Sequence, residues 1–280
     1  MPVSPPNIVE GEVKIQVLVV GKPCKMWYRI VGDLPSPKSH HPLIALQGGP
    51  EKNRDVTFWM EQLFLDELDN LLCHLKVKEN YNLLASHHAS KQPLGLKCLI
   101  LASAPPDIGL WVECQNTLWT ELPQNIQDIL NKNEEGLGHY QANCGVQGGV
   151  FYSCFLCRIH PLHEPLAEGF DWIEKDPTNW SIISDAHTIN VLTLLLNGRY
   201  NEACNLVFAP FFREIPCIKW VTFAESSHVL NFEEQERCME IVGSFLIDEP
   251  ENIAQTSYLP STLLKLETRE YLATHFYEAI

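Results

Sequence analysis

The chain is expected to fold as an α/β domain: a mainly parallel sheet flanked by helices, with a helical lid insertion and a depleted core. Three observations carry that expectation. The segments "HPLIALQGGP", "KCLILAS", "NVLTLLLNG" and "IKWVTFAES" are apolar runs that alternate with helical patterns. Parallel strands covered on both faces read that way. The first run opens into Gly48-Gly49-Pro50, a glycine-rich loop at a strand end. From Asp107 to about Trp180 strand signals lapse, and Trp-, Glu- and Gln-rich amphipathic pieces replace them.

The elements follow in order. Lys14–Val20 and Cys24–Gly32 read as two strands joined at Gly21-Lys22-Pro23, a hairpin-like pair. Strands near Leu43–Leu46, Leu99–Ala102, Val191–Leu196 and Lys219–Phe223 build the sheet, with "YNLL" a further short strand. Thr57–Leu75 is helical, because Phe58, Leu63, Leu65, Leu68, Leu72 and Leu75 recur near helical spacing with acids between them. Asn231–Leu246 closes as a helix with Asn231 as its N-cap. This divides the chain into 1–106, the first part of the core; 107–180, the lid; 181–250, the second part of the core; and 251–280, a C-terminal extension.

Composition narrows the function. With 45% hydrophobic residues in 280, the chain can bury a sizeable core. A net charge of -15 excludes nucleic acid as a partner and disfavours an anionic membrane surface. The start, "MPVSPPNIVEGEV", shows no signal-peptide pattern, and no apolar run reaches membrane-spanning length. Ten scattered cysteines imply free thiols and a cytoplasmic location. Cys154-x-x-Cys157 lies near Cys144, His160 and His163, but zinc needs four well-aimed ligands. The expectation is therefore no metal and no cofactor. His87-His88 reads as a polar helix start, and Phe211, Phe212 and Trp220 as core.

Several motifs together carry a resemblance. "WYRIVGDL", "LQGGP", "TFWMEQLFLDELDNLLCHL", "CRIHPLHEP", "LLLNGRYNEA", "APFFREIP" and "WVTFAESSHVLNFEE" occur in one order. Over roughly Gly11 to Leu246 the chain resembles the fungal branch of the proline iminopeptidases, α/β-hydrolases of the serine aminopeptidase type. The resemblance implies an α/β-hydrolase fold. It also implies release of N-terminal residues, often proline, from small peptides or amino-acid amides, by Ser, Asp and His in that chain order.

Carried over motif by motif, the machinery is incomplete. Gly48 and Gly49 stand at the oxyanion-loop position, but after Pro50 the chain passes to "EKNRDVTFW", where the family has a further strand and loop. After Leu84 comes Ala85-Ser86-His87-His88-Ala89, where the family has its serine elbow. That elbow needs small residues two positions either side of the nucleophile. Around Ser86 those positions hold Leu84 and His88, so the nucleophile is read as absent. Glu164 matches one amine-binding acid, and the segment that carries the other is missing where Thr178 joins Asn179.

His228 matches the catalytic histidine, and Asn201 replaces the expected aspartate. Asn201 is expected to lie within reach of His228. An amide cannot stabilise an imidazolium as a carboxylate does, so the imidazole should titrate near its ordinary value of about 6.5. Glu202 is set aside, because side-chain direction changes sharply between adjacent residues.

The expected function is that of a proline iminopeptidase-like serine hydrolase, inactive or impaired because its serine elbow is absent. The expected partner is a small peptide or amino-acid amide. Two alternatives stand beside it: a non-catalytic peptide- or amine-binding protein, and an unstable product of a degenerate or mis-joined gene. The three seams fall within otherwise well-kept motifs, as excised segments would.

Overall fold

The computed structural model describes residues 6–16, 23–34, 40–46, 61–84, 93–128, 148–161 and 186–247. Strands β1 (Ile8–Gln16) and β2 (Pro23–Val31) pair antiparallel, from Ile8 opposite Val31 to Gln16 opposite Pro23. The first strand thus begins well before the expected Lys14. Cross-strand charge favours this register: Arg29 pairs with Glu10 at 2.8 Å, and Lys25 pairs with Glu12. The hairpin forms a sheet of its own and rests on helix α1 (Glu61–His74). There Asn70 donates to the Lys14 carbonyl at 2.9 Å, and Tyr28 Oη lies 3.1 Å from His74 Nε2.

The main sheet holds β3 (Leu43–Ala45), β4 (Tyr81–Leu84), β5 (Leu96–Ala102), β6 (Leu192–Gly198) and β7 (Ile218–Phe223). All neighbours are parallel, and the order is β3-β4-β5-β6-β7. Among the described strands β3 is an edge. Period-two alternation then splits the core into two faces. Leu83, Leu99, Leu101 and Leu195 pack with Leu68 and Leu72 of α1 and with Val207, Phe208 and Phe211 of a later helix. Cys98, Ile100, Leu194 and Leu196 face the other way, towards Cys238, Met239, Val242 and Phe245.

The remaining helices are α2 (Ile108–Thr120), α3 (Gly148–Phe155), α4 (Asn205–Glu214), α5 (Leu230–Glu233) and α6 (Gln235–Ile247). Asp107 caps α2 by accepting from the Leu110 N–H at 3.0 Å. Trp119, Leu122, Phe151 and Phe155 form a separate apolar cluster joining α2 to α3. No described helix is long and apolar enough to cross a membrane.

Three expectations need correction. Helix α4 forms despite Pro210 in its interior, where proline normally disfavours a helix. It buries Phe211 fully, while Phe212 is 52% exposed and meets Trp220 at 5.7 Å, so the aromatic cluster is only partly core. Asn231 is not an N-cap: α5 starts at Leu230 after Val229, with no side-chain cap bond. Glu233 and Glu234 instead reach back to the N–H groups of Ser227 at 2.7 Å and Glu225 at 3.0 Å, much as the acid of a capping box does. Finally, not every thiol is free. Cys114 of α2 and Cys204, which precedes α4, form a disulfide with their Cα atoms 6.1 Å apart.

Candidate active site

Ligand clefts in such sheets open at the carboxyl ends of the strands, and here β6 and β7 end side by side. Gly198 closes β6 against the turn that follows β7. A Cβ at Gly198 would sit 2.1 Å from the Ser227 carbonyl oxygen and 2.3 Å from that of Ser226. Only glycine allows that approach. Gly198→Ala should therefore destabilise the fold by about 1–3 kcal/mol, read as a lower denaturation midpoint. It should also disturb the NMR signals of His228, the next residue in the displaced turn.

Beyond Gly198 the chain turns, with the Asn201 N–H bonded to the Gly198 carbonyl at 3.3 Å. Asn201 is buried, and its amide is fully engaged. Its Nδ2 donates to Ser103 Oγ at 2.9 Å, and its Oδ1 accepts from the Ala203 N–H at 2.9 Å. Ser103 Oγ in turn donates to the His228 carbonyl at 2.7 Å. These bonds hold Ser103 at φ 50°, where a serine backbone is strained. Asn201 thus anchors the histidine's backbone and does not meet its ring.

The ring meets Glu202. Its Oε1 lies 2.8 Å from His228 Nδ1, with the histidine side chain 27% exposed and the glutamate buried. Burial by itself would depress the imidazole pKa. The charge and contact of Glu202, with Glu233 behind it, outweigh burial and hold the pKa above the ordinary 6.5. Both expectations for this pair are therefore corrected: the side chain that meets the ring is Glu202, not Asn201, and the imidazole pKa is held above its ordinary value. The argument from alternating side chains holds along a strand, but residues 201 and 202 lie past the end of β6.

A pH dependence follows. A group whose pKa is raised on folding adds stability that is complete below its unfolded value, about 6.5. That contribution is lost as pH rises through the folded value. Stability should thus decline upward from about pH 6.5, and Glu202→Gln should flatten the decline. In an NMR titration the same variant should bring the His228 midpoint down towards or below about 6.5. An unmoved midpoint would show that the two side chains do not interact.

The histidine turn is anchored from below. Glu233 accepts from the Ser227 N–H and Oγ, and Glu234 accepts from Ser226 Oγ at 2.7 Å. Burial would raise the Glu234 pKa. Bonds from Ser226, the Glu225 N–H and Arg237 outweigh it and leave the carboxyl below its usual range. The expected oxyanion residues Gly48 and Gly49, the acid Glu164, Ser86 and the Thr178–Asn179 junction lie outside the described residues. Of the CxxC pair, Cys157 is buried and burial pushes its thiol pKa up. Among the described residues no group of three or more His, Cys, Asp or Glu is placed to hold a metal.

This architecture is the α/β-hydrolase fold. MGS-M2, an α/β-hydrolase from a deep-sea metagenome, matches over 91% of this chain and 97% of its own, with TM-score 0.52 and 14% identity. VinJ matches with TM-score 0.73 at 26% identity, covering 85% of this chain and 99% of VinJ. The proline iminopeptidase of Mycobacterium smegmatis matches with TM-score 0.61 at 24% identity, over 73% and 76% of the two chains.

In sequence, the chain is 26% identical over 181 residues to the proline iminopeptidase of Saccharolobus solfataricus. That match spans 58% of each protein, so it covers little more than half of the relative's length. The proline iminopeptidase of Clostridium botulinum is 24% identical, over 79% of this chain and 94% of its own. No protein-family model matches the chain. The chain is thus similar in sequence to proline iminopeptidases at low identity and shares the α/β-hydrolase fold.

Proposed function

We propose that the chain is a proline iminopeptidase-type α/β-hydrolase of the fungal branch that keeps its acid–histidine pair and lacks its serine nucleophile. Its substrates would be small peptides with N-terminal proline, or amino-acid amides. Gly48 and Gly49 would face the scissile carbonyl, and Glu164 the free amine. The carrying observation is the 2.8 Å approach of Glu202 to His228 Nδ1. An acid on one ring nitrogen orients the imidazole so that the other nitrogen can act as a base. In a serine hydrolase that base deprotonates the nucleophile. Here the residues after β4 run Ala85-Ser86-His87-His88, without the small neighbours an elbow requires. A cytoplasmic setting belongs to the same reading, supported by six free cysteines against one disulfide among the described residues.

The test is release of proline from a proline amide, run beside labelling with a serine-directed phosphonate. No labelling and no release above the His228→Ala variant supports the proposal. Labelled protein with matching turnover would overturn it.

A second reading, binding without turnover, also draws on Glu202. Its Oε2 is buried and has no hydrogen-bond partner among the described residues, and a buried carboxylate oxygen is stabilised by a donor such as an ammonium. Saturable calorimetric binding of the proline amide, weakened by Glu202→Gln and unaccompanied by hydrolysis, would favour it.

A further inference from the structure

The segment that follows α3 is bonded to both loops of the acid–histidine pair. The Phe155 carbonyl accepts from the Glu202 N–H at 3.1 Å, and the Leu156 carbonyl accepts from the Val229 N–H at 3.3 Å. Two residues further, the Arg158 N–H donates to Glu233 at 2.7 Å, and Glu233 also holds Ser227. Residues on either side of the pair therefore hang on one short piece of chain. Arg158 repeats the bridge with its side chain. Its guanidinium stacks 3.6 Å from the ring centre of Tyr200, on the acid loop, and donates to the Glu225 carbonyl at 3.4 Å, on the histidine loop.

We propose that Phe155–Arg158 is a strap that sets the spacing of Glu202 and His228, with Arg158 as the positioning residue that locks it. Phe155 also belongs to the lid's apolar cluster, so packing within the lid is transmitted to the pair. The strap is not redundant by construction. The two loops are directly bonded as well, Arg199 N–H to the Phe223 carbonyl at 2.8 Å and Tyr200 N–H to the Ser226 carbonyl at 3.0 Å, and the experiment decides which set governs. The inference rests on the reading of Glu202 and His228 as the site.

The readout is the NMR titration midpoint of His228, assigned by its loss in His228→Gln. The charged groups that act on this ring are Glu202 on the acid loop and Glu233 on α5, and Glu233 also accepts from the Arg158 N–H. Arg158→Met should shift the midpoint downward, because the carboxylate contact loosens. A purely electrostatic role has the opposite sign, since losing a neighbouring cation favours the imidazolium. Tyr200→Leu should shift it downward too, whereas Tyr200→Phe keeps the ring and should leave it in place.

A midpoint that stays put or rises in Arg158→Met overturns the strap. Glu202→Gln, run in parallel, separates the two readings. If that variant lowers the midpoint and Arg158→Met does not, only the strap fails. If neither moves it, the site reading fails. Hydrogen exchange in the unsubstituted protein needs no variant to fold: the amides of Glu202, Val229 and Arg158 should all be protected, and free exchange at any of them also overturns the proposal.

Discussion

Given an N-terminal proline amide, the purified protein should release proline about 10⁶-fold more slowly than a relative with an intact serine, a loss of about 8 kcal/mol in transition-state stabilisation. Removing the nucleophile of a serine hydrolase costs that much because the histidine is left with no hydroxyl to deprotonate. The Asn201 substitution should add little to the loss, since Glu202 already faces the imidazole. For the same reason, restoring aspartate at 201 should not recover activity. The proline iminopeptidase of Clostridium botulinum, assayed under identical conditions, supplies the reference rate. Turnover within about 100-fold of it would mean that a nucleophile is present after all, since such a residue is worth far more than that factor.

Breaking the Cys114–Cys204 bond should cost about 4–5 kcal/mol, because it closes a loop with a sequence separation of 90. Against a total margin of about 5–15 kcal/mol this is a large share. The denaturation midpoint should fall by of order 10 °C in Cys204→Ser or after dithiothreitol. The bond joins α2 to the N-terminus of α4, two residues beyond Glu202. Its loss should therefore loosen the acid loop as well as the fold. Thermal melts of the oxidised, reduced and substituted proteins provide the measurement, with mass spectrometry of unreduced peptides confirming the link. Coincident melts, or the two peptides recovered unlinked, would overturn the expectation.

Much of the sheet was readable in advance because its signal is local. Leu99, Leu101, Leu194 and Leu196 belong to runs long enough to mark strands buried on both faces, and all are core. His228 was singled out by the likeness of "FAESSHVLNF" to the histidine motif of the resembled family, not by periodicity. Helix α4 carries Pro210 in its interior, and it is held by the burial of Val207, Phe208 and Phe211 against β5 and β6.

The site itself depended on contacts distant in sequence. Nothing near Cys114 or Cys204 announces that they meet. Nor does the segment "NGRYNEA" reveal which of Asn201 and Glu202 faces the histidine. Past Gly198 the pleat no longer dictates side-chain direction, and hydrogen bonding decides it. Ser103 and Ala203 claim the Asn201 amide, while the Phe155 carbonyl fixes the backbone of Glu202. Periodicity along the chain places strands and helices because one face of each must leave water. Which carboxylate meets which ring is set by partners brought from the lid and from neighbouring strands, and those come together only in the folded molecule.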